Sequence, residues 1–222
     1  MATYLIPLFI APALFLLLLL IAQAGMEKKT LGLFAGSYFF GFVAALPMII
    51  AIYLVNTYWL VHVQSLRRIL FYGFILIGLL SELTKFLIVR YKYMPNERIT
   101  KPFDGILFSV LVSMGFATVA NIYFYYQWDY TDNLLTVLYA VPFANLLTGI
   151  ILGFFVGMGK FRTGGSFDSL TGLLAAVFFN GFFSFCLFSQ DYLLLALVAA
   201  GTLIICIMLS VRSINTDVKS MM

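Results

Sequence analysis

Two charged residues three positions apart inside an apolar run, Glu82 and Lys85, are the most expensive feature of the chain. A charged group at the centre of a hydrocarbon layer costs several kcal/mol, so it marks either a functional site or a paired structural element. At i and i+3 the two lie on one helix face and each lowers the cost of the other. A carboxylate at that depth can activate a water for peptide hydrolysis, alone or through a metal. Hydrolysis by a pair of carboxylates needs a second acid there, and no other Asp or Glu lies at that depth. The plain structural reading is an ion pair near the cytoplasmic end of a span, with Lys85 snorkelling to the interface. Asn121 is the other conspicuous group, an amide deep in the apolar run from Pro102 to Tyr126. An unpartnered amide is costly in hydrocarbon, so Asn121 is expected to bond to another helix or to face a polar cavity.

Membrane-spanning helices must position these groups. A chain of 222 residues with 63% hydrophobic and 10% charged residues cannot bury its apolar surface as a soluble domain. The fold class expected is all-α and polytopic, a bundle of about seven transmembrane helices forming one domain over residues 1–222. The spans fall at residues 4–24, 31–55, 69–90, 104–126, 134–158, 169–188 and 192–211, each near the ~20 residues that a bilayer requires. The first is expected to be retained despite its Ala22-Gln23-Ala24 ending, because it is long for a signal sequence and its Lys28 and Lys29 follow rather than precede it. Pro47 is expected to kink the second span, and Gly149, Gly153 and Gly157 form a ridge one turn apart that lets another helix approach.

Placing the N-terminus outside puts Lys28, Lys29, Arg90, Lys92, Arg98, Lys101, Lys160, Arg162, Arg212 and Lys219 on one side, against Arg67 and Arg68 on the other. The richer side is expected to be cytoplasmic, with the C-terminus there too. Asp129, Asp132, Asp191 and the aromatics Tyr58, Trp59, Tyr126 and Trp128 then suit the outer side. The basic connection from Tyr91 to Phe103 is of a kind that also touches anionic headgroups. His62, the single histidine, reads as a solvated loop residue, and Cys186 and Cys206 as small hydrophobes within spans. Nothing suggests nucleic-acid binding.

The stretch FDGI, followed by GFATVANI, resembles the central motif of the PrsW family of intramembrane proteases, in which Glu-Asn stands where this chain has Ala120-Asn121. Three further segments extend the resemblance. Ser81-Glu82-Leu-Thr-Lys85 is similar to the family's Glu-Glu-x-x-Lys. Asn145, four residues before Gly149, takes the place of a histidine. Asn180-Gly181-Phe182-Phe183-Ser184-Phe185 is similar to His-Gly-x-x-Asn/Asp-Phe, with Asn180 at a second histidine and Ser184 at the amide or carboxylate. The resemblance runs from about Ser81 to Phe185 and implies a helical bundle with a polar site near midmembrane, related in kind to the CAAX-protease group.

Carried over residue by residue, it implies a site near midmembrane built on Glu82 and Lys85 with Ser81, Ala120, Asn121, Asn145, Asn180 and Ser184 around them; at ~1.5 Å rise per residue Glu82, Ala120, Asn145 and Asn180 lie within roughly 8 Å of midplane and could share one cavity. The acid at position 120 and both imidazoles are missing, and neutral amides are poor metal ligands. The expected function is therefore a pseudoprotease that binds no metal or other cofactor and scaffolds a single-span protein or a membrane complex. One alternative is an active protease using Glu82 with zinc, another divalent metal, or a water held by Asn121, Asn145, Asn180 and Ser184. Another is a small transporter or structural subunit, against which stands the lack of an internal repeat. The location expected is a bacterial cytoplasmic membrane.

Overall fold

The computed structural model describes residues 2–23, 31–58, 65–127 and 133–216. Lys28, Lys29, Trp59, His62, Trp128, Asp129, Asp132 and Lys219, which entered the readings of topology and loops, lie outside them. Among the described residues every element is helical. A broken N-terminal helix consists of α1 (Ala2–Leu8) and α2 (Ile10–Gln23). Six long helices follow: α3 (Leu31–Tyr58), α4 (Leu66–Tyr93), α5 (Pro102–Gln127), α6 (Leu134–Phe161), α7 (Gly165–Ser189) and α8 (Tyr192–Asn215). All six are long and apolar enough to cross a bilayer. The chain is an all-α polytopic membrane protein.

Ahead of the six, the described residues hold a further apolar helix, Leu5–Leu20. Prolines interrupt it. Pro7 and Pro12 each remove a helical N–H, and the chain steps out of the helix at Phe9 between α1 and α2. The long helices also overrun the sequence boundaries, α6 reaching Phe161 and α4 beginning at Leu66.

Helix α5 is the most enclosed of the six, and its glycines explain why. A β-carbon on Gly105 would run into the backbone of Gly153 and Gly157 on α6, and one on Gly115 into Tyr38 and Gly41 on α3. Gly105 and Gly115 therefore let two neighbours reach backbone contact with α5, the arrangement that favours helix association where lipid removes the hydrophobic drive. Its start is fixed locally: Pro102 occupies the first turn, where a missing N–H costs nothing, and the Asp104 carboxylate accepts from the N–H of Thr100 at 2.8 Å and of Lys101 at 3.0 Å. The Asp and Gly of the FDGI stretch are thus a helix cap and a packing contact.

Helix α4 passes into wider π-type turns at Phe71–Leu79 and Ile88–Tyr93, which bracket the α-helical turns carrying Ser81, Glu82 and Lys85. Such departures recur where a helix must aim particular side chains. Gly78 and Gly181 bring α4 and α7 together, since a β-carbon on either would meet the backbone or an aromatic ring of the other helix.

Candidate functional site

Glu82 and Lys85 are both fully buried, at 0% exposure. Lys85 Nζ donates to Glu82 Oε1 at 2.6 Å and to Asn145 Oδ1 on α6 at 2.8 Å, and the Phe116 ring lies 5.0 Å from the same nitrogen. The snorkelling expected of Lys85 is thereby corrected: the ammonium turns into the bundle because a carboxylate, an amide oxygen and an aromatic face meet it there. Asn180 on α7 completes the cluster, its Nδ2 donating to Glu82 Oε1 at 2.6 Å and to Ser81 Oγ at 3.0 Å. Ser81 in turn donates to the carbonyl oxygens of Ile77 and Gly78. Three helices meet through one ion pair, α7 at the carboxylate and α6 at the ammonium.

The amides have little freedom in this arrangement. An ammonium only donates, so Asn145 must present its oxygen to Lys85, and its Nδ2 donates to Val141 O at 2.9 Å. A carboxylate only accepts, so Asn180 must present its nitrogen to Glu82. The second carboxylate oxygen, Glu82 Oε2, is buried with no hydrogen-bond partner among the described residues.

Beside this cluster lies a cavity of about 30 Å³, lined by Ala120, Asn145, Asn180 and Ser184 among apolar and aromatic side chains. That volume holds about one water. The structure brings Ser81, Glu82, Lys85, Asn145 and Asn180 into one bonded cluster and places Ala120 and Ser184 on the adjoining wall. Asn121 belongs to neither. It faces away and donates to Leu138 O at 2.9 Å and Pro7 O at 3.4 Å. It makes the bond to another helix that its burial called for, outside the cluster in which the resemblance put it, and Pro142 gives the reason. Leu138 O sits four residues before Pro142, so it loses its helical donor and the Asn121 amide replaces it. The proline at that spacing was a readable signal. Phe116 and Met48, also at the cavity, carried none, since nothing distinguishes them from ordinary core residues.

Comparison with known proteins decides the family. The profile of the PrsW family intramembrane metalloproteases matches residues 29–212. The chain belongs to the PrsW family. It is 26% identical over 152 residues to Protease PrsW of Geobacillus kaustophilus, covering 68% of this chain and 65% of that protein. It is 26% identical over 152 residues to Protease PrsW of Bacillus subtilis, covering 68% of this chain and 67% of that protein. With Protease PrsW of Oceanobacillus iheyensis the identity is 26% over 179 residues, 80% of each chain. No solved structure matches.

The metal implied by the family name does not fit the donors present. A hydrolytic site holds its metal with about three ligands drawn from His, Cys, Asp and Glu, and among the described residues no three such groups come together. The oxygen that Asn145 has to offer already faces an ammonium, and Asn180 turns a hydrogen donor toward Glu82. Among the described residues Glu82 Oε2 is the one anionic oxygen left at the cluster, beside a fixed cation, and neutral amide and hydroxyl oxygens are weak ligands for a divalent metal.

Proposed function

We propose that this PrsW-family chain is a pseudoprotease that engages a single-span membrane protein or a membrane complex without cutting it. The observation that carries the reading is the double capture of Glu82 Oε1, by Lys85 at 2.6 Å and Asn180 at 2.6 Å, in a fully buried cluster. A general base must take a proton from water, and this carboxylate is held beside an ammonium with one of its two oxygens committed to two donors. Ala120, Asn145 and Asn180, at places where the family motifs carry an acid and two imidazoles, leave no other group to take over. The same residues serve instead as glue, since hydrogen bonds between spans hold a bundle where lipid competes poorly.

The second reading is an active membrane protease. Glu82 Oε2 favours it, being a buried acceptor without a partner among the described residues, and so do the relatives, which are named as proteases. Metal content separates the two. Protein purified in detergent and loaded with zinc is expected to retain less than one ion per chain. The quadruple variant Ser81→Glu, Ala120→Glu, Asn145→His and Asn180→His is expected to retain about one, since it returns carboxylates and imidazoles to the cavity wall. Stoichiometric zinc in the unaltered chain favours the protease.

For placement we propose the cytoplasmic membrane of a bacterium, with the N-terminus outside and the C-terminus in the cytoplasm. Arg90, Lys92, Arg98, Lys101, Lys160, Arg162 and Arg212 gather at one end of the helices, while Arg67 and Arg68 stand at the other. An excess of basic residues marks the cytoplasmic side.

A further inference from the structure

We propose that the broken helix α1–α2 is a displaceable cover, occupying in cis the seam on α5 at which a single-span partner helix docks. The proposal rests on the partner-binding reading above and adds where the partner binds and what it must displace.

Four observations carry it. First, α2 touches α3, α5 and α6, and α1 touches α5 and α6, so the pair lies along α5 between its two flanking helices. Second, this pair falls outside the part of the chain matched by the family, which begins at residue 29. Third, its attachment is one-sided, with Leu14, Phe15 and Leu18 packed on the core. Ala11 is buried against the core and Phe15 stacks on Tyr38 with ring centroids 4.0 Å apart, but Leu5, Ile6, Phe9, Leu16 and Leu20 are exposed on the lipid side. Among the described residues the polar tie between the cover and the bundle is the Asn121 bond to Pro7 O, long at 3.4 Å. Helices in a bilayer are held by packing and interhelical hydrogen bonds, so an incoming helix that packs on the same seam and makes a shorter hydrogen bond can replace this one.

Fourth, the Asn121 side chain under the cover is not satisfied. Its amide lies between Pro7 and Leu138, and its Oδ1 is buried without a partner among the described residues. Pro7 offers it only a backbone carbonyl, and no described side chain of the cover donates to it. A partner span carrying a short side-chain donor, Ser, Thr, Asn or Gln, at the same depth can. The structure thus assigns the occupant a chemistry: a single transmembrane helix with one polar hydrogen-bond donor facing Asn121.

The test uses the full chain in liposomes, with Cys186→Ala and Cys206→Ala as background and nitroxide labels on Leu16→Cys and Tyr139→Cys. Both labelled positions are exposed, one on α2 and one on α6. The probes are a polyleucine transmembrane peptide with one central asparagine and its all-leucine control, each carrying a fluorophore to report association. Pulsed electron spectroscopy is expected to give one α2–α6 distance alone and with the all-leucine peptide. The asparagine peptide should add a second, longer population. In Asn121→Leu the difference between the two peptides should vanish, because the acceptor that distinguishes them is gone. Association of the asparagine peptide with no change in the distance overturns the cover while leaving partner binding intact at some other surface. No association by either peptide removes both.

Discussion

At the scale of single residues, the polar cluster makes an asymmetric prediction. Removing one member of a buried ion pair strands the other charge, at a cost of about 3–5 kcal/mol, whereas removing both often costs little. Lys85→Met should therefore destabilise the protein strongly, and Glu82→Gln with Lys85→Met should restore most of the loss. Reversible unfolding in mixed detergent measures both, and equal destabilisation by the single and double variants would show that the pair is not coupled. Asn180→Leu is expected to cost about 1–3 kcal/mol in the same assay, since it leaves buried carboxylate and hydroxyl groups short of a donor. That Glu82 and Lys85 share a face was legible from their spacing alone. The direction in which Lys85 points was not, because it depends on Asn145, sixty residues away on another helix, and a lysine stem can equally reach an interface.

At the scale of helices, Asn121 and Pro142 should be energetically coupled. If the amide stands in for the donor that Pro142 removes from Leu138 O, then Asn121→Leu should cost about 1 kcal/mol less in a Pro142→Ala background, where the backbone N–H is restored. A double-mutant cycle reads the coupling, and strict additivity would refute the link. Glycine contacts give a second contrast. Gly115→Val on α5 forces its β-carbon into the backbone of α3, whereas Gly201→Ala on α8 meets open space. The first should lower the unfolding midpoint sharply and the second leave it nearly unchanged.

The long helices were readable from hydropathy and length, and the glycine ridge on α6 from its four-residue spacing. The break in the N-terminal helix at Phe9 was harder to read, since its apolar run looks continuous until Pro7 and Pro12 are weighed as interruptions. The π-type turns in α4 have no sequence signal we recognise. They arise from how α4 settles against α7, which only the assembled bundle specifies.

At the scale of the whole molecule, orientation and activity are the two statements to test. Thiol labelling of Glu97→Cys and Thr163→Cys should be confined to the cytoplasmic face, as the distribution of basic residues requires. Labelling of both from outside would invert the topology. The site itself was half legible: the family motifs indicated which residues to compare, and depth arithmetic placed Glu82, Ala120, Asn145 and Asn180 near one another. Pro142 marked the carbonyl of Leu138 as freed, but the sequence could not say that Asn121 is the amide that meets it, because that pairing depends on how two helices pack. The central claim, that this scaffold binds without cutting, is tested most directly by reconstituting the chain with single-span peptides and following cleavage by mass spectrometry. The account predicts intact peptides with the unaltered protein and with Glu82→Gln alike; cleavage that the Glu82→Gln variant abolishes would contradict it.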